Sequence, residues 1–465
     1  MGAAQPNAPA PEGVHPVTVA GVFFPADAAS LETALAKCER KARRGVKRPF
    51  KALMVPHAGL SYSGAIAASA FNALETAPIT RIVLLSPAHR LALKGWALPS
   101  GRAFATPLGD VPIDPEARKT ALAMEGAHLN DRAFDQEHGV EVLLPFIKTR
   151  CPRAAVLPVL VGEASPDHTA RLLARLWGGP ETLILISTDL SHFLTDGEAK
   201  RLDDTTLGLI DRLNARALTP KHACGSRGLN ALLTLSRALD LRPLRLDYTT
   251  SGDVTGNRAR VVGYAAYGFE PARSAQLPAP VASDLLYAAQ HTLGYGLRAG
   301  RLPKIKRDSF AMPLHGHGAS FVTLTRGGRL RGCIGSYVPT RPLIDDVVHN
   351  AFKAAFGDPR FAPLTADELA NLELSVSVLS TPRAFPAPDL QTVAGTLEPD
   401  RDGLILSGSG KRSIFLPSVW ESLPKPEGFV ATLMRKAGLD PAAWPNDMRA
   451  WRFSAEKVSQ QEPLS

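Results

Sequence analysis

Three short segments of this 465-residue chain place imidazoles and a carboxylate directly after apolar runs. His57 follows one run in Val55-Pro56-His57-Ala58-Gly59, and His89 follows a second in Leu85-Ser86-Pro87-Ala88-His89. Asp189 and His192 follow a third in Ile186-Ser187-Thr188-Asp189-Leu190-Ser191-His192. Each run reads as a strand. In an open α/β sheet, ligands bind beyond the carboxyl ends of the strands, where loops leave the rigid sheet and backbone groups are free. Taken singly, any of these histidines reads as a hydrogen-bonded structural residue. Three with the same topology point instead to one metal site. Imidazole nitrogen suits iron, zinc, copper or nickel, and a nearby carboxylate favours non-haem Fe(II) or zinc. The spacing is neither HExxH nor a zinc-finger pattern.

Two further residues are candidates for the same rim. Cys224, in His222-Ala223-Cys224-Gly225, is a thiolate ligand or nucleophile at a loop or helix start, against the plainer reading of a small buried hydrophobe. His138, in Asp135-Gln136-Glu137-His138-Gly139-Val140-Glu141, lies just before a helix and could serve as acid, base or support for a ligand. Glu137 and Glu141 read as a solvated helix face or a cap.

The elements that must position these groups follow an α/β rhythm through the first 270 residues. Strands are expected at Lys51–Val55, Arg81–Leu85, Ala155–Val161, Thr182–Ile186 and Ala259–Phe269. The first four are nearly continuous in Val, Ile and Leu, as strands covered on both faces are. Helices are expected at Gly64–Leu74, Pro115–Met124, Val140–Arg150, His168–Leu176 and Ala199–Ala215. Three prolines and no periodicity between Glu270 and Pro280 then mark a linker.

Composition is that of an ordinary globular protein, with 45% hydrophobic and 21% charged residues, which excludes a wholly disordered chain. Four cysteines, at 38, 151, 224 and 333, are too sparse for a disulfide framework and imply a reduced, cytoplasmic setting. The leading segment fails the signal-peptide pattern and reads as a disordered leader, and no apolar window approaches a membrane span. A net charge of +9 is a weak argument for a polyanionic partner. Seven positive charges between Lys37 and Arg48 carry no interleaved aromatics, so this run reads as a solvated helix end and loop. Neither nucleic acid nor membrane is expected as a partner.

The segment from Val55 to Gly64, the Ser86-Pro87-x-His89 step, Glu137-His138-x-x-Glu141 with Leu144-Pro145-Phe146, Ser187-Thr188-Asp189-Leu190-Ser191-His192, Cys224-Gly225 and Tyr248-x-x-Ser251-Gly252-Asp253 resemble the Memo family, in order, across about residues 15 to 270. The resemblance implies a fold similar to the class III extradiol ring-cleaving dioxygenases, whose site holds non-haem iron. It implies His57, His89 and Cys224 as metal ligands, with Asp189, His192 and His138 lining the same pocket as catalytic candidates. Those dioxygenases hold iron with two histidines and a glutamate. Cysteine at the third position shifts preference towards Cu(I), zinc or an electron-rich iron.

Beyond the linker the rhythm changes. A helix is expected at Ser283–Gly296, a hairpin at Ser320–Thr325 and Arg329–Ser336 closed by Arg326-Gly327-Gly328, and a helix at Pro342–Phe356. Thr365 with Glu368 signals a capping box, and Glu373–Leu379 alternates like a half-buried strand. Leu330-Arg331-Gly332-Cys333-Ile334-Gly335-Ser336 resembles the signature of the AMMECR family. Asp358-Pro359-Arg360-Phe361, the strand from Leu372 to Leu379 with Ser380-Thr381-Pro382, Phe415-Leu416-Pro417 and Lys436-Ala437-Gly438-Leu439 agree with it over residues 280 to 455. That resemblance implies mixed helices around an antiparallel sheet. Cys333 reads as a packed core thiol, Arg331 beside Gly332 and Gly335 as a possible anion contact, and His315 and His317 as solvent-exposed. Gly408-Ser409-Gly410-Lys411-Arg412-Ser413 fails the phosphate-loop pattern, because Ile405 stands where a glycine belongs and Arg412 follows the lysine. It reads as a hairpin turn.

The expected protein is thus an α/β sheet-and-helix domain over residues 15–270 behind a leader at 1–14. A linker at 271–281 joins it to a smaller α+β domain with an antiparallel sheet over 282–460. The paired resemblances correspond to proteins B and A of the AmmeMemoRadiSam system and imply functional association with a radical SAM protein. This chain has no CxxxCxxC cluster of its own. They imply an oxidoreductase with one divalent metal per chain, iron first and copper or zinc as alternatives, acting on an unknown small-molecule substrate. The rival reading is a non-catalytic scaffold with a vestigial dioxygenase-like pocket.

Overall fold

The chain divides into two units, Met1–Pro271 and Ala272–Ser465, in a computed structural model that describes residues 13–43, 45, 47–271, 277 and 279–460. Most of the expected leader and part of the linker lie outside the described residues. Within the linker span, a strand runs to Pro271 and a helix begins at Ala279.

Period-two side-chain alternation explains the first unit's sheet. Leu53, Val55, Ile82, Leu84, Val156, Leu160, Leu183 and Leu185 belong to one buried cluster. Their immediate neighbours Ala52, Met54, Val83, Leu85, Leu157, Val159, Ile184 and Ile186 belong to another. Both faces are therefore covered, which is why the strands read as continuous apolar runs. Each such Leu, Ile or Val side chain contributes about 1.5–3 kcal/mol by leaving water. One face is covered by helices Ala28–Lys41, Leu60–Ala73 and Leu144–Arg150, the other by Pro166–Arg175, Asp196–Asp211 and Ser226–Leu239.

The sheet has nine strands. Its path runs His192–Leu194, Val261–Pro271, Ala52–Val55, Thr182–Ser187, Arg81–Pro87, Ala155–Val161, Trp96–Leu98 and Ala127–Leu129, and Leu241–Thr250 also pairs with Val261–Pro271. The four central strands, starting at Ala52, Thr182, Arg81 and Ala155, are mutually parallel. Their carboxyl ends thus share one edge, and the segments bearing His57, His89 and Asp189 leave from it. The expected helix Val140–Arg150 is two pieces, His138–Glu141 and Leu144–Arg150, with Pro145 in the first turn of the second. Among the described residues, no helix is long and apolar enough to cross a membrane.

Among the described residues of the basic run, one departs from its expected exposure. Arg40 and Lys41 do sit in the last turn of helix Ala28–Lys41, where cations favour the helix dipole. Arg48 is instead buried, and its Nη2 donates to Glu270 Oε1 at 3.0 Å, an oxygen that Arg242 also reaches at 2.8 Å.

The second unit carries two antiparallel sheets. One orders Arg329–Gly335, His317–Arg326, Leu372–Leu379 and Ala455–Ser459, with Arg341–Pro342 paired to the second of these, and packs on helices Ala279–Ala299 and Leu343–Phe356. The other orders Arg383–Phe385, Arg449–Phe453, Gly403–Gly408 and Lys411–Phe415. Ser409 and Gly410 close its final hairpin with φ of 51° and 72°, the positive pair of a type I′ turn. The expected capping box is present, with Thr365 and Glu368 opening the short helix Ala366–Asn371.

The Arg331–Gly335 motif turns out to be structural in several of its contacts. Gly332 and Gly335 lie where an added Cβ would fall 2.1 Å from Ala354 O and 2.2 Å from the Phe321 ring, so only glycine lets helix and strand approach this closely. Arg331, read as an anion contact, is occupied: its Nε and Nη2 donate to the two Glu368 oxygens at 2.7 and 2.8 Å. Cys333 is half-buried rather than packed in the core, with Sγ 3.3 Å from Thr323 Oγ1. It lies on an edge strand, and its open backbone edge is closed by side chains: Cys333 N donates to Asp358 at 2.9 Å and Arg360 Nη2 donates to Cys333 O at 2.9 Å. His315 and His317 are half-buried, not exposed.

The Arg331 hydrogen bonds hold the Glu368 carboxyl down at about 2. A depressed carboxyl pKa adds stability above the ordinary carboxylate range, and that stability is lost as pH falls through the folded value. Glu368→Gln should therefore destabilise at pH 7 by no more than about 1 kcal/mol, since the pair is near solvent. The difference should close as pH drops from 4.5 towards about 2; melts that stay equally far apart at both ends would contradict the assignment.

Candidate metal centre

Two histidines at the carboxyl edge, His57 and His89, are each oriented by a hydrogen bond at Nδ1. His57, 1% exposed, donates its backbone N–H to Asp189 Oδ1 at 2.8 Å. Its Nδ1 is 2.6 Å from Ser187 Oγ, and Ser187 donates its only hydroxyl proton to Gly139 O at 2.6 Å. Ser187 must then accept from His57 Nδ1–H, leaving Nε2 unprotonated. His89 repeats the device with a carboxylate: Glu137 accepts its backbone N–H at 2.7 Å and its Nδ1–H at 2.7 Å. Carboxylate–histidine pairs of this kind fix the tautomer that presents Nε2 to a metal.

Glu137 and Glu141 are therefore not solvated, as the sequence reading had them; they are 0% and 4% exposed. Glu137 does act as a cap, accepting from Gly139 N at 3.0 Å. Glu141 ties the same short helix to an earlier segment by accepting from Thr18 N at 2.8 Å and Val19 N at 3.0 Å. These bonds bring His138 to the centre, stacked on Phe23 at 4.6 Å between ring centroids. Its Nδ1 is buried with no hydrogen-bond partner among the described residues. A buried, orphaned ring nitrogen is what a metal or a ligand group would satisfy.

Ligand atoms of His57, His89 and His138 all lie within 4.8 Å of one another. The His57 and His89 rings stand nearly perpendicular with centroids 5.0 Å apart, and His89 and His138 are 4.4 Å apart. Cys224 falls outside that triad, yet its Sγ is 3.4 Å from His57 Nε2. Two ligands of one tetrahedral shell, with metal–nitrogen and metal–sulfur bonds of ordinary length, stand roughly 3.6 Å apart. The donor set thus fits a metal with either side chain at the third corner. Cys224 sits just before helix Ser226–Leu239, locked to the Asp189 loop by Cys224 N to Asp189 O and Asp189 N to Cys224 Sγ, both at 3.2 Å.

Burial dominates the electrostatics. It holds His57 well below the usual imidazole range, with further depression from His89, His138 and His192. It also brings His138 down to about 4 and lowers His192. His57, His138 and His192 are therefore neutral at pH 7, the state that a metal-ligating imidazole requires. Burial pushes Asp189 up to about 7, and burial with the Asp189 charge pushes Cys224 up to about 12. Burial also opposes ionisation of Glu137, but hydrogen bonds from His89 and Gly139 outweigh it and keep that carboxyl below its ordinary value.

The structure thus gathers His57, His89, His138, Asp189 and Cys224 into one cluster, with the half-buried His192 near enough to act on His57 and His138 through its charge. The orienting roles of Ser187 and Glu137 were missed from sequence. Glu137 carried a faint signal in its position beside His138, and Ser187 carried none. A cavity of about 360 Å³ opens beside His89 and Cys224.

A mixed sheet covered by helices on both faces, with a histidine cluster able to hold a metal at its carboxyl edge, defines the first unit's class as an α/β protein with a potential metal centre. Residues 15–268 match the family of Memo-like proteins and 286–458 match AMMECR1. The chain belongs to the Memo family, with an AMMECR1 domain fused behind it. Among its relatives, a MEMO1 family protein of Aquifex aeolicus is 33% identical over 266 residues, which is 54% of this chain and 97% of the relative. One from Methanosarcina mazei is 32% identical over 267 residues, 53% of this chain and 96% of the relative. An uncharacterized protein of Pyrococcus horikoshii of known structure is 31% identical, with a TM-score of 0.36 over 38% of this chain and 91% of its own.

Proposed function

We propose that the first unit binds one divalent metal, iron first with copper or zinc as alternatives, and acts as an oxidoreductase related to the extradiol dioxygenases. The observation that carries this reading is the convergence of His57, His89 and a third donor, with hydrogen bonds at Nδ1 leaving Nε2 of both histidines as the ligand atom. His57, His89 and Cys224 would hold the metal, with His138 the competing third ligand. When bound, iron or copper would supply Lewis acidity and one-electron redox chemistry, and zinc Lewis acidity alone. The chain's own residues supply the rest. Ser187 and Glu137 hold the two imidazoles in register, and the Asp189 carboxylate fixes the backbone of His57. His192 and His138, neutral at pH 7, are placed to accept and return a proton. The Memo-like and AMMECR1 pairing further supports a place in an AmmeMemoRadiSam system, with a radical SAM protein as functional partner and a small molecule as substrate.

Elemental analysis of the full chain purified without oxygen tests this reading. One metal ion per chain is the expected result. A wild-type protein that stays metal-free after anaerobic incubation with Fe(II), Cu(I) and Zn(II) would sink it and leave a scaffold role.

A further inference from the structure

The cavity beside His89 and Cys224 ends on the amino terminus of the 14-residue helix Ser226–Leu239. No side chain caps that terminus. The first N–H, of Ser226, bonds to Ala223 O, while the N–H groups of Arg227 and Gly228 have no acceptor among the described residues. Uncapped donors at a helix start, with the positive end of the helix dipole, form an anion site only where something else directs a ligand there. Here the second sign is Ser226. Its side chain is 98% buried, since only 2% of the residue is exposed, and it lines the cavity. Its hydroxyl makes no hydrogen bond among the described residues and opens onto the cavity, where a bound group can engage it. Arg227 is exposed at the mouth of the same cavity and adds a guanidinium. The lining also includes the apolar Leu91, Leu93 and Val161 and one carboxylate, Glu163, which is exposed just beyond the carboxyl end of Ala155–Val161.

We propose that this cavity binds a small organic anion, its carboxylate or phosphate head on Ser226, Arg227 and the free N–H groups and its apolar body against Leu91, Leu93 and Val161. Such a ligand would lie beside His89 and Cys224, so the substrate of the metal centre is an anion of this class. That assignment to substrate rests on the proposed metal reading; the binding site does not. Gly228 lets the helix start pack closely on the sheet, since an added Cβ there would lie 3.4 Å from Leu85 Cβ.

Calorimetric titration of the full chain with benzoate, benzyl alcohol and inorganic phosphate, in chelator and again after metal loading, tests the site. Benzoate should bind the chelated protein, benzyl alcohol should bind at least about tenfold more weakly, and Arg227→Glu and Ser226→Ala should each weaken benzoate, the former by about tenfold or more. Phosphate binding tighter than benzoate would assign a phosphate head, and the reverse a carboxylate; both support the site. Equal binding of benzyl alcohol and benzoate, or Arg227→Glu and Ser226→Ala variants that fold and bind like wild type, would overturn it. Because the titration is done without metal, a failed metal reading leaves this result intact.

Discussion

Replacing His57 by alanine should leave the anaerobically purified protein without stoichiometric metal while it remains folded. His57 supplies an Nε2 that is directed by Ser187, buried to 1% exposure, and adjacent to both candidate third donors. No other described side chain replaces it at the centre of the cluster. The oriented partner matters less but measurably: Glu137→Gln should weaken metal binding by about 10–100-fold, because it loses the charged acceptor that holds His89 Nδ1–H. Two more variants separate the competing corners. Cys224→Ser should lose metal and His138→Gln should keep it. The opposite pattern would give the shell to three histidines, and metal retained in His57→Ala would remove the centre from this edge of the sheet.

Arg245→Leu should be among the most destabilising single changes in the first unit. Arg245 and Asp211 side chains are 8% and 4% exposed, and they form a closed triad with Tyr267. Arg245 Nε donates to Tyr267 Oη at 2.9 Å, Arg245 Nη2 to Asp211 Oδ2 at 2.7 Å, and Tyr267 Oη to Asp211 Oδ1 at 2.8 Å. The triad joins the end of helix Asp196–Asp211 to the two paired strands Leu241–Thr250 and Val261–Pro271. Removing only the cation strands a buried carboxylate, which costs about 3–5 kcal/mol, whereas replacing the whole triad by well-packed apolar groups is often nearly neutral. Chemical denaturation should show the single-variant loss, and Arg245→Leu combined with Asp211→Leu and Tyr267→Phe should recover most of it. A single variant within about 1 kcal/mol of wild type would mean that the carboxylate finds water.

The central strands were legible because both of their faces are buried, and a run such as Ala155–Val161 leaves no other economical fold for its apolar residues. Leu241–Thr250 was not. It contains Arg242, Pro243, Arg245 and Asp247 and carries a bulge between Arg245 and Asp247, so its alternation is broken, and its charges meet partners far along the chain in Glu270, Asp211 and Arg43. Likewise Arg331 looked free beside its glycines until Glu368, 37 residues later, closed on it.

For the candidate site, local sequence was enough to place His57, His89 and Asp189 at strand ends, because an apolar run followed by a polar loop determines where a parallel strand stops. Which ring nitrogens face inward, which carboxylate supports His89, and that both His138 and Cys224 approach the shared point were decided only by the tertiary structure. Those choices depend on hydrogen bonds between residues 48 and 130 positions apart, from His89 to Glu137 and from His57 to Ser187, and no local pattern encodes a contact of that range.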